Sequence, residues 1–255
     1  MRRASKRLLG YLWAVVFIMA GWWISSLAVG SPALPEPVSA IKTFGAQAAV
    51  IAPQFAISAW RVCVAMLIGA GLAAPLGLVS GRSSRVDAVL APIMYLLYPV
   101  PKIVLLPVLL VLFGLGGAPK VALIALTVFF QVLMTMRDAG KAVPQAAVVS
   151  VRSLGGSGRD VFRHVVLPAT LPSLFTSLRI STGTSIAVLF FAESIAGTTG
   201  LGWYIMNAWG MLNYAAMFAG IIAMAILGII FYEAFNAVEY ATSAWRRAGD
   251  SATQR

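Results

Sequence analysis

Acidic side chains, cysteine and histidine are all scarce in this chain of 255 residues. It contains 8 Asp and Glu, one Cys and one His, and charged residues of both signs make up only 11% of it. Soluble proteins are about a quarter charged, so the composition excludes an ordinary soluble enzyme as well as a disordered chain. The single Cys63 has no partner for an intrachain disulfide and supplies no metal cluster.

Apolar residues dominate instead, at 60% of the chain, which indicates an integral membrane protein. A bilayer-crossing helix needs about 20 residues. We therefore expect six spans with short connections and no separate catalytic domain. The sequence has no phosphate-binding loop and no nucleophile motif, so any energy source is expected on another chain.

Six apolar stretches predict an all-helical fold, at residues 8–29, 55–79, 88–113, 120–136, 180–195 and 215–235. Residues 1–54 form the first span and an outer loop, 55–240 a core of five spans, and 241–255 a tail. A cleaved signal peptide is the alternative for the basic N-terminus, but its apolar stretch is long enough to cross a bilayer. Four prolines interrupt the stretch 88–113. A broken helix at membrane depth needs protein or a cavity around its free backbone groups, so we expect this segment to face the bundle interior.

Basic residues give the predicted orientation. Of the 19 Lys and Arg, 15 fall in the N-terminus, the turn after the second span, segment 137–179 and the tail, if both termini are cytoplasmic. The net charge of +11 thus reflects topology. Nucleic acid is not an expected partner, because DNA-binding proteins place basic residues on a polar surface and here they lie between apolar runs.

Segment 137–179 is the longest without a clean apolar run, and we expect it to be an organised cytoplasmic loop. Gly155 and Gly156 permit a sharp bend, and Ser157 is placed to cap a following helix with Asp160 in its first turn. Pro168 and Pro172 are expected to end that short helix before the fifth span. Its apolar face suits either the lipid surface or a groove on a partner, with Phe162 as the anchor.

The order of residues in this loop resembles that of binding-protein-dependent ABC importer permeases. Their signature is Glu-Ala-Ala, three residues, Gly, nine residues and Ile-x-Leu-Pro; here Gly155 is followed after nine residues by Val-Val-Leu-Pro at 165–168. The Glu-Ala-Ala positions are Val149, Ser150 and Val151, which do not match. Over residues 55–240 the chain is similar to the nitrate, sulfonate and taurine subgroup, through Pro-Lys-Ile at 101–103, Phe-Gly-Leu-Gly at 113–116, Ala-Glu at 192–193 and Gly-Leu-Gly at 200–202.

The resemblance implies a type I importer permease in a bacterial or archaeal cytoplasmic membrane. Two permease subunits, expected to be identical, form the pathway; two cytoplasmic ATPase subunits bind ATP and Mg²⁺, and an outer binding protein delivers the solute. The chain itself would bind no cofactor and catalyse no reaction. The expected solute is a small anion such as a sulfonate, taurine or nitrate. The coupling and ATPase-docking role falls on Ser150, Arg152, Leu154, Gly155, Ser157, Phe162, Arg163, Leu167 and Pro168.

Three charged residues within the spans are candidates for the solute pathway or its gate: Arg61, Lys102 and Glu193. Ionisable groups at membrane depth usually face the bundle interior. Glu193 is therefore either a pathway residue or the structural partner of a buried cation such as Arg61 or Lys102. An ion-coupled secondary transporter is the alternative function, disfavoured because intramembrane acids are nearly absent and no inverted repeat is evident.

Overall fold

The computed structural model describes the backbone of residues 2–242, together with the side chains of residue 10 and of residues 13–242. The basic side chains of residues 2–7 and the tail from residue 243 onward, which entered the orientation argument, lie outside the described side chains. The described part is all helical. Its helices are α1 Arg2–Val29, α2 Pro37–Ala46, α3 Ala48–Arg82, α4 Ser84–Leu97, α5 Leu106–Phe113, α6 Ala118–Lys141, α7 Gln145–Ser153, α8 Gly158–Val161, α9 Leu167–Ala196, α10 Leu201–Gly210 and α11 Tyr214–Thr242.

Four continuous helices are long and apolar enough to cross a membrane: α3, α6, the joined α8 and α9, and α11. Helices α4 and α5, with the 3₁₀ turn Lys102–Leu105 between them, form a fifth candidate that bends by 86°. The apolar part of α1 is Trp13–Val29, shorter than the other spans within the described side chains. The predicted all-helical fold is confirmed, while the count of six spans is not.

The tightest helix pair is α3 against α6, and glycine makes it possible. Positions 69, 73, 77 and 81 on α3 are Gly, Ala, Gly and Gly, one turn apart, so they form a smooth stripe along the helix. A Cβ on Gly77 would lie 2.7 Å from the Leu133 carbonyl oxygen, and one on Gly81 would lie 2.2 Å from that of Arg137. The two backbones therefore touch directly, and this pair forms the rigid centre of the chain.

The proline-broken segment does not face the interior of this chain, contrary to the sequence-based expectation. Most of its large apolar side chains are exposed, and Met94 and Leu106 are the buried ones in α4 and α5. Its carbonyls are satisfied locally instead: Lys102 Nζ donates to the backbone oxygens of residues 97, 98 and 100 at 2.7–2.8 Å. One ammonium group thus satisfies three backbone carbonyl oxygens at the break.

Helix α8 also differs from the prediction, since it does not end before the fifth span. It passes through a π-type turn, Phe162–Val166, into α9 and forms one helical rod from Gly158 to Ala196. The Leu167 amide donates to the Phe162 carbonyl, five residues back. A widened turn just before Pro168 relieves the clash of a proline ring with the preceding turn. Pro168 and Pro172 therefore lie inside a continuous helix.

Candidate functional site

The predicted docking loop begins with α7 and a glycine-terminated bend. The Gly156 amide donates to the Val151 carbonyl at 3.0 Å and the Gly155 amide to that of Arg152 at 2.9 Å. Gly155 has a φ of +83°, which a residue with a Cβ rarely adopts. These two bonds and the left-handed glycine form the Schellman ending of a helix. The bend predicted at Gly155 is therefore present.

A capping box starts the helix on the other side of the bend. The Asp160 amide donates to Ser157 Oγ at 3.3 Å, and the Ser157 amide donates to Asp160 Oδ2 at 2.9 Å. Both ends of the bend are thus closed by hydrogen bonds within it. The cap predicted from Ser157 and Asp160 is confirmed.

The loop is anchored by buried valines that pack against the helical core, and its tip is exposed. Val148, Val161 and Val166 are buried against the core, whereas Leu154 is 89% exposed and Phe162 47%. Ser150 donates its hydroxyl to the Ala146 carbonyl within α7, and the side chains of Arg152 and Arg163 are exposed. Leu167 is partly exposed and Pro168 half-buried at the start of α9. The surface shape is that of an apolar tip, Leu154, between basic side chains.

At the other end of the α8–α9 rod, Glu193 is fully buried and carries a complete set of hydrogen bonds. Arg61 Nη1 donates to Oε1 at 2.6 Å, Ser58 Oγ lies 2.9–3.0 Å from both carboxylate oxygens, and the Gly202 amide donates to Oε2 at 2.9 Å. Since Gly202 is in the first turn of α10, the carboxylate also lies at the positive end of that helix. Glu193 therefore joins α3, α9 and α10.

The turn 197–200 fits closely around this carboxylate. Gly200 has a φ of +104°, and a Cβ there would lie 2.2 Å from Glu193 Oε1. Arg61 holds the turn by donating from Nη1 to the Thr199 carbonyl and from Nη2 to Thr199 Oγ1, both at 2.9 Å. The Gly200 amide donates to Gln54 Oε1 at 2.7 Å. The Gly-Thr-rich stretch is thus part of the ion-pair site.

Lys120 adds a second buried cation to the same end of the molecule. Its side chain is 2% exposed, and Nζ donates to the Gly116 carbonyl at 2.7 Å and to the Ala196 carbonyl at 2.9 Å. Arg61 also lines a cavity of about 560 Å³ beside Gly117. With two cations and one carboxylate, this buried cluster has a net positive charge. Lys120 was not among the site residues predicted from the sequence, although its place directly after Pro119 marks it as part of the first turn of α6.

Lys102 is not part of this cluster. Its ammonium lies in the α4–α5 break and 4.6 Å from the centre of the Phe130 ring. Of the three candidate pathway residues, the structure therefore brings Arg61 and Glu193 together and keeps Lys102 apart. Of the two cations that the sequence offered as partners of Glu193, Arg61 forms the ion pair and Lys102 does not.

A second ionic cluster, which sequence reasoning missed, ties α4 to α3 and α6. Asp87 accepts hydrogen bonds from Arg137 Nε and Nη2 (the latter at 3.0 Å), from Lys141 Nζ at 2.6 Å and from Ser80 Oγ at 2.9 Å. Arg137 also donates to the Tyr95 hydroxyl at 3.0 Å. Asp87 and Arg137 are 50 positions apart, and neither was among the site residues predicted from the sequence. Within the described residues, no group of three His, Cys, Asp or Glu side chains is arranged to hold a metal ion.

Comparison with known proteins agrees with this architecture. Residues 73–242, which include the predicted docking loop and Glu193, match the family described as binding-protein-dependent transport system inner membrane component. The chain belongs to this family. It is an ABC transporter permease, a multi-pass inner membrane protein and a transport subunit.

Individual relatives cover most of the chain. The taurine transport system permease protein TauC of Escherichia coli K12 is 31% identical over 90% of this chain and 86% of its own length. The putative aliphatic sulfonates transport permease protein SsuC of Bacillus subtilis 168 is 30% identical over 94% of this chain and 88% of its own. The permease-like fold also matches a solved inward-facing structure of the MetNI methionine ABC transporter, at 17% identity and a TM-score of 0.65, covering 75% of this chain and 95% of that one.

Proposed function

We propose that this chain forms the solute pathway of an ATP-driven importer for a small organic anion of the sulfonate type. In this proposal two cytoplasmic ATPase subunits bind ATP and Mg²⁺ and dock on the loop 145–167, a second copy of the chain completes the pathway, and an outer binding protein delivers the solute. The names of the Escherichia coli and Bacillus subtilis relatives support the solute class. The buried cluster of Arg61, Lys120 and Glu193 is compatible with it, because its net charge is positive.

The observation that carries the proposal is the α8–α9 rod. It is 39 residues long, from Gly158 beside the exposed Leu154 to Ala196 beside Glu193, a length of about 58 Å at 1.5 Å per residue. The capping box and the glycine bend make the loop stiff. A movement imposed on Leu154 and Phe162 would therefore be transmitted as rigid-body motion to the Glu193 end.

At that end we infer a gate formed by α10 and the turn 197–200. Arg61 and Ser58 on α3 bind both Glu193 and the Thr199–Leu201 backbone, at distances of 2.6–3.0 Å. Rotation of the rod against α3 would need to break or shift these bonds together. Arg61 and Glu193 thus act on the gate by positioning α10. In the proposed orientation, both termini of the chain lie on the cytoplasmic side, as the docking loop does.

ATP-dependent uptake tests the proposal. The chain is co-expressed with its cognate ATPase and binding protein, reconstituted in liposomes and supplied with radiolabelled taurine. We expect uptake only when ATP is present on the side of the membrane where the ATPase lies. Uptake should stop when the ATPase is replaced by a variant that cannot hydrolyse ATP. Uptake that continues without ATP and follows an imposed ion gradient would show a secondary transporter instead.

A matched pair of substitutions tests the docking loop. Leu154→Asp places a charge on the exposed tip, and we expect loss of ATPase co-purification without loss of membrane insertion. Leu115→Asp is the control, because Leu115 is 86% exposed in the turn at the opposite end of α6. Normal ATPase binding by Leu154→Asp, or equal loss in both variants, would overturn the docking assignment.

A further inference from the structure

A groove with a basic mouth lies between the end of α3 and the docking loop. Its mouth is a cavity of about 300 Å³ that Arg82 of α3 and Arg152 of α7 both line, together with Phe162. Neither guanidinium has a hydrogen-bonded or ionic partner among the described residues, and the lining contains no acidic side chain. Two positive charges without a counter-charge among the described residues therefore line the same small cavity.

An apolar channel adjoins this mouth. A second cavity of about 400 Å³ shares Leu78, Val79 and Phe162 with the first and extends along Pro75 of α3 and Leu171 of α9. The one hydroxyl in its lining, that of Thr170, is already bonded to the Val166 carbonyl at 2.8 Å. The channel thus offers contact for a hydrocarbon and no unsatisfied polar group.

The charges of α3 indicate that the groove lies near the cytoplasmic boundary of the bilayer. Arg61 and Arg82 are separated by 20 uncharged residues, about 30 Å of helix, which is the thickness of a hydrocarbon core. With this stretch across the core, Arg82 is expected at headgroup level and residues 75–79 among acyl chains. Val79 is 52% exposed, so the wall of the channel is accessible from outside the chain.

We propose that this groove binds one anionic phospholipid, with its phosphate between Arg82 and Arg152 and an acyl chain in the channel along α3 and α9. Charge complementarity selects the headgroup, and the shared wall of the two cavities at Leu78, Val79 and Phe162 places a site for a hydrocarbon chain directly beside it. The bound lipid would link the docking loop to the membrane at the end of α3. This site is independent of which solute the protein carries.

Lipid retention by the full-length purified chain tests the site. Native mass spectrometry would compare retention of dioleoyl phosphatidylglycerol with that of dioleoyl phosphatidylcholine. Each basic residue near an anionic membrane surface contributes roughly a fivefold preference, so the variant Arg82→Ala/Arg152→Ala should bind the anionic lipid roughly 25-fold more weakly. The control is Arg85→Ala/Arg159→Ala, which removes two exposed arginines from outside the groove lining.

The second arm tests the acyl chain. Leu171→Trp places an indole at a half-buried position that lines the channel and not the mouth, and it should displace the lipid while both arginines stay unchanged. Equal weakening in the Arg85/Arg159 control would indicate general charge attraction, and unchanged retention in Leu171→Trp would indicate binding by the headgroup alone; either result overturns the proposal. So would loss of self-association in Leu171→Trp with lipid retention intact, because the groove would then be an interface between copies.

Discussion

Removing Arg61 should destabilise this protein far more than removing an exposed basic residue. Glu193 is fully buried, and Arg61 is the cation that contacts it, at 2.6 Å. Breaking such a pair from one side costs about 3–5 kcal/mol, because a buried charge is left without a partner. The hydroxyl of Ser58 and the amide of Gly202 still donate to the carboxylate in Arg61→Met, which places the expected loss near about 3 kcal/mol.

Lys141→Met provides the matched control. Lys141 also contacts a carboxylate at 2.6 Å, but its side chain is 43% exposed, and Asp87 keeps its two bonds from Arg137. Exposed pairs of this kind contribute about 0–1 kcal/mol. The same chemical change, a cation replaced by methionine, thus has a predicted effect several times smaller.

Thermal unfolding of both variants in one detergent measures the difference. At roughly 2–4 °C per kcal/mol for a chain of this size, the midpoint of Arg61→Met should fall by about 6–12 °C and that of Lys141→Met by less than about 4 °C. In a double-mutant cycle, Arg61→Met/Glu193→Gln should lose less than the two single variants together, because it leaves no lone charge buried. Equal midpoints for the two methionine variants, with additive effects in the cycle, would refute the assignment of a buried structural ion pair.

Three further changes follow from the same contacts. Gly77→Ala should lower the midpoint by several degrees because its Cβ would meet the Leu133 carbonyl oxygen, whereas Gly71→Ala, with open space around it, should leave the midpoint unchanged or raise it slightly. Gly200→Ala should weaken both stability and uptake, since its Cβ would overlap the Glu193 carboxylate at a φ of +104°; unaltered unfolding and transport would contradict the described turn. Ser157→Ala should cost about 1 kcal/mol by removing the cap of α8, and hydrogen exchange of the amides at 158–160 should rise while exchange in α6 stays unchanged.

Local signals allowed much of this structure to be predicted. The apolar runs predict the helical class, because chain segments inside a bilayer must satisfy their own backbone hydrogen bonds. The bend at Gly155 and the cap at Ser157 depend on residues within a few positions of each other, so they could be predicted in detail. The same local reasoning was wrong at Pro168, because a π-type turn before it keeps the helix continuous. The segment 88–113 does not face the interior of the single chain, and Lys102 binds carbonyl oxygens at its break.

Sequence alone therefore predicted the membrane class, the helical architecture and the bend and cap of the loop 145–167, since composition and short-range hydrogen bonds fix these features. The tertiary fold settled which charge pairs with which. Arg61 and Glu193 are 132 positions apart, and composition holds no signal that selects Arg61 over Lys102 as the partner. The burial of Lys120 and the Asp87–Arg137 pair likewise depend on how α3, α6 and α9 pack, because a charge at membrane depth is stable only where that packing supplies its counter-charge or carbonyl oxygens.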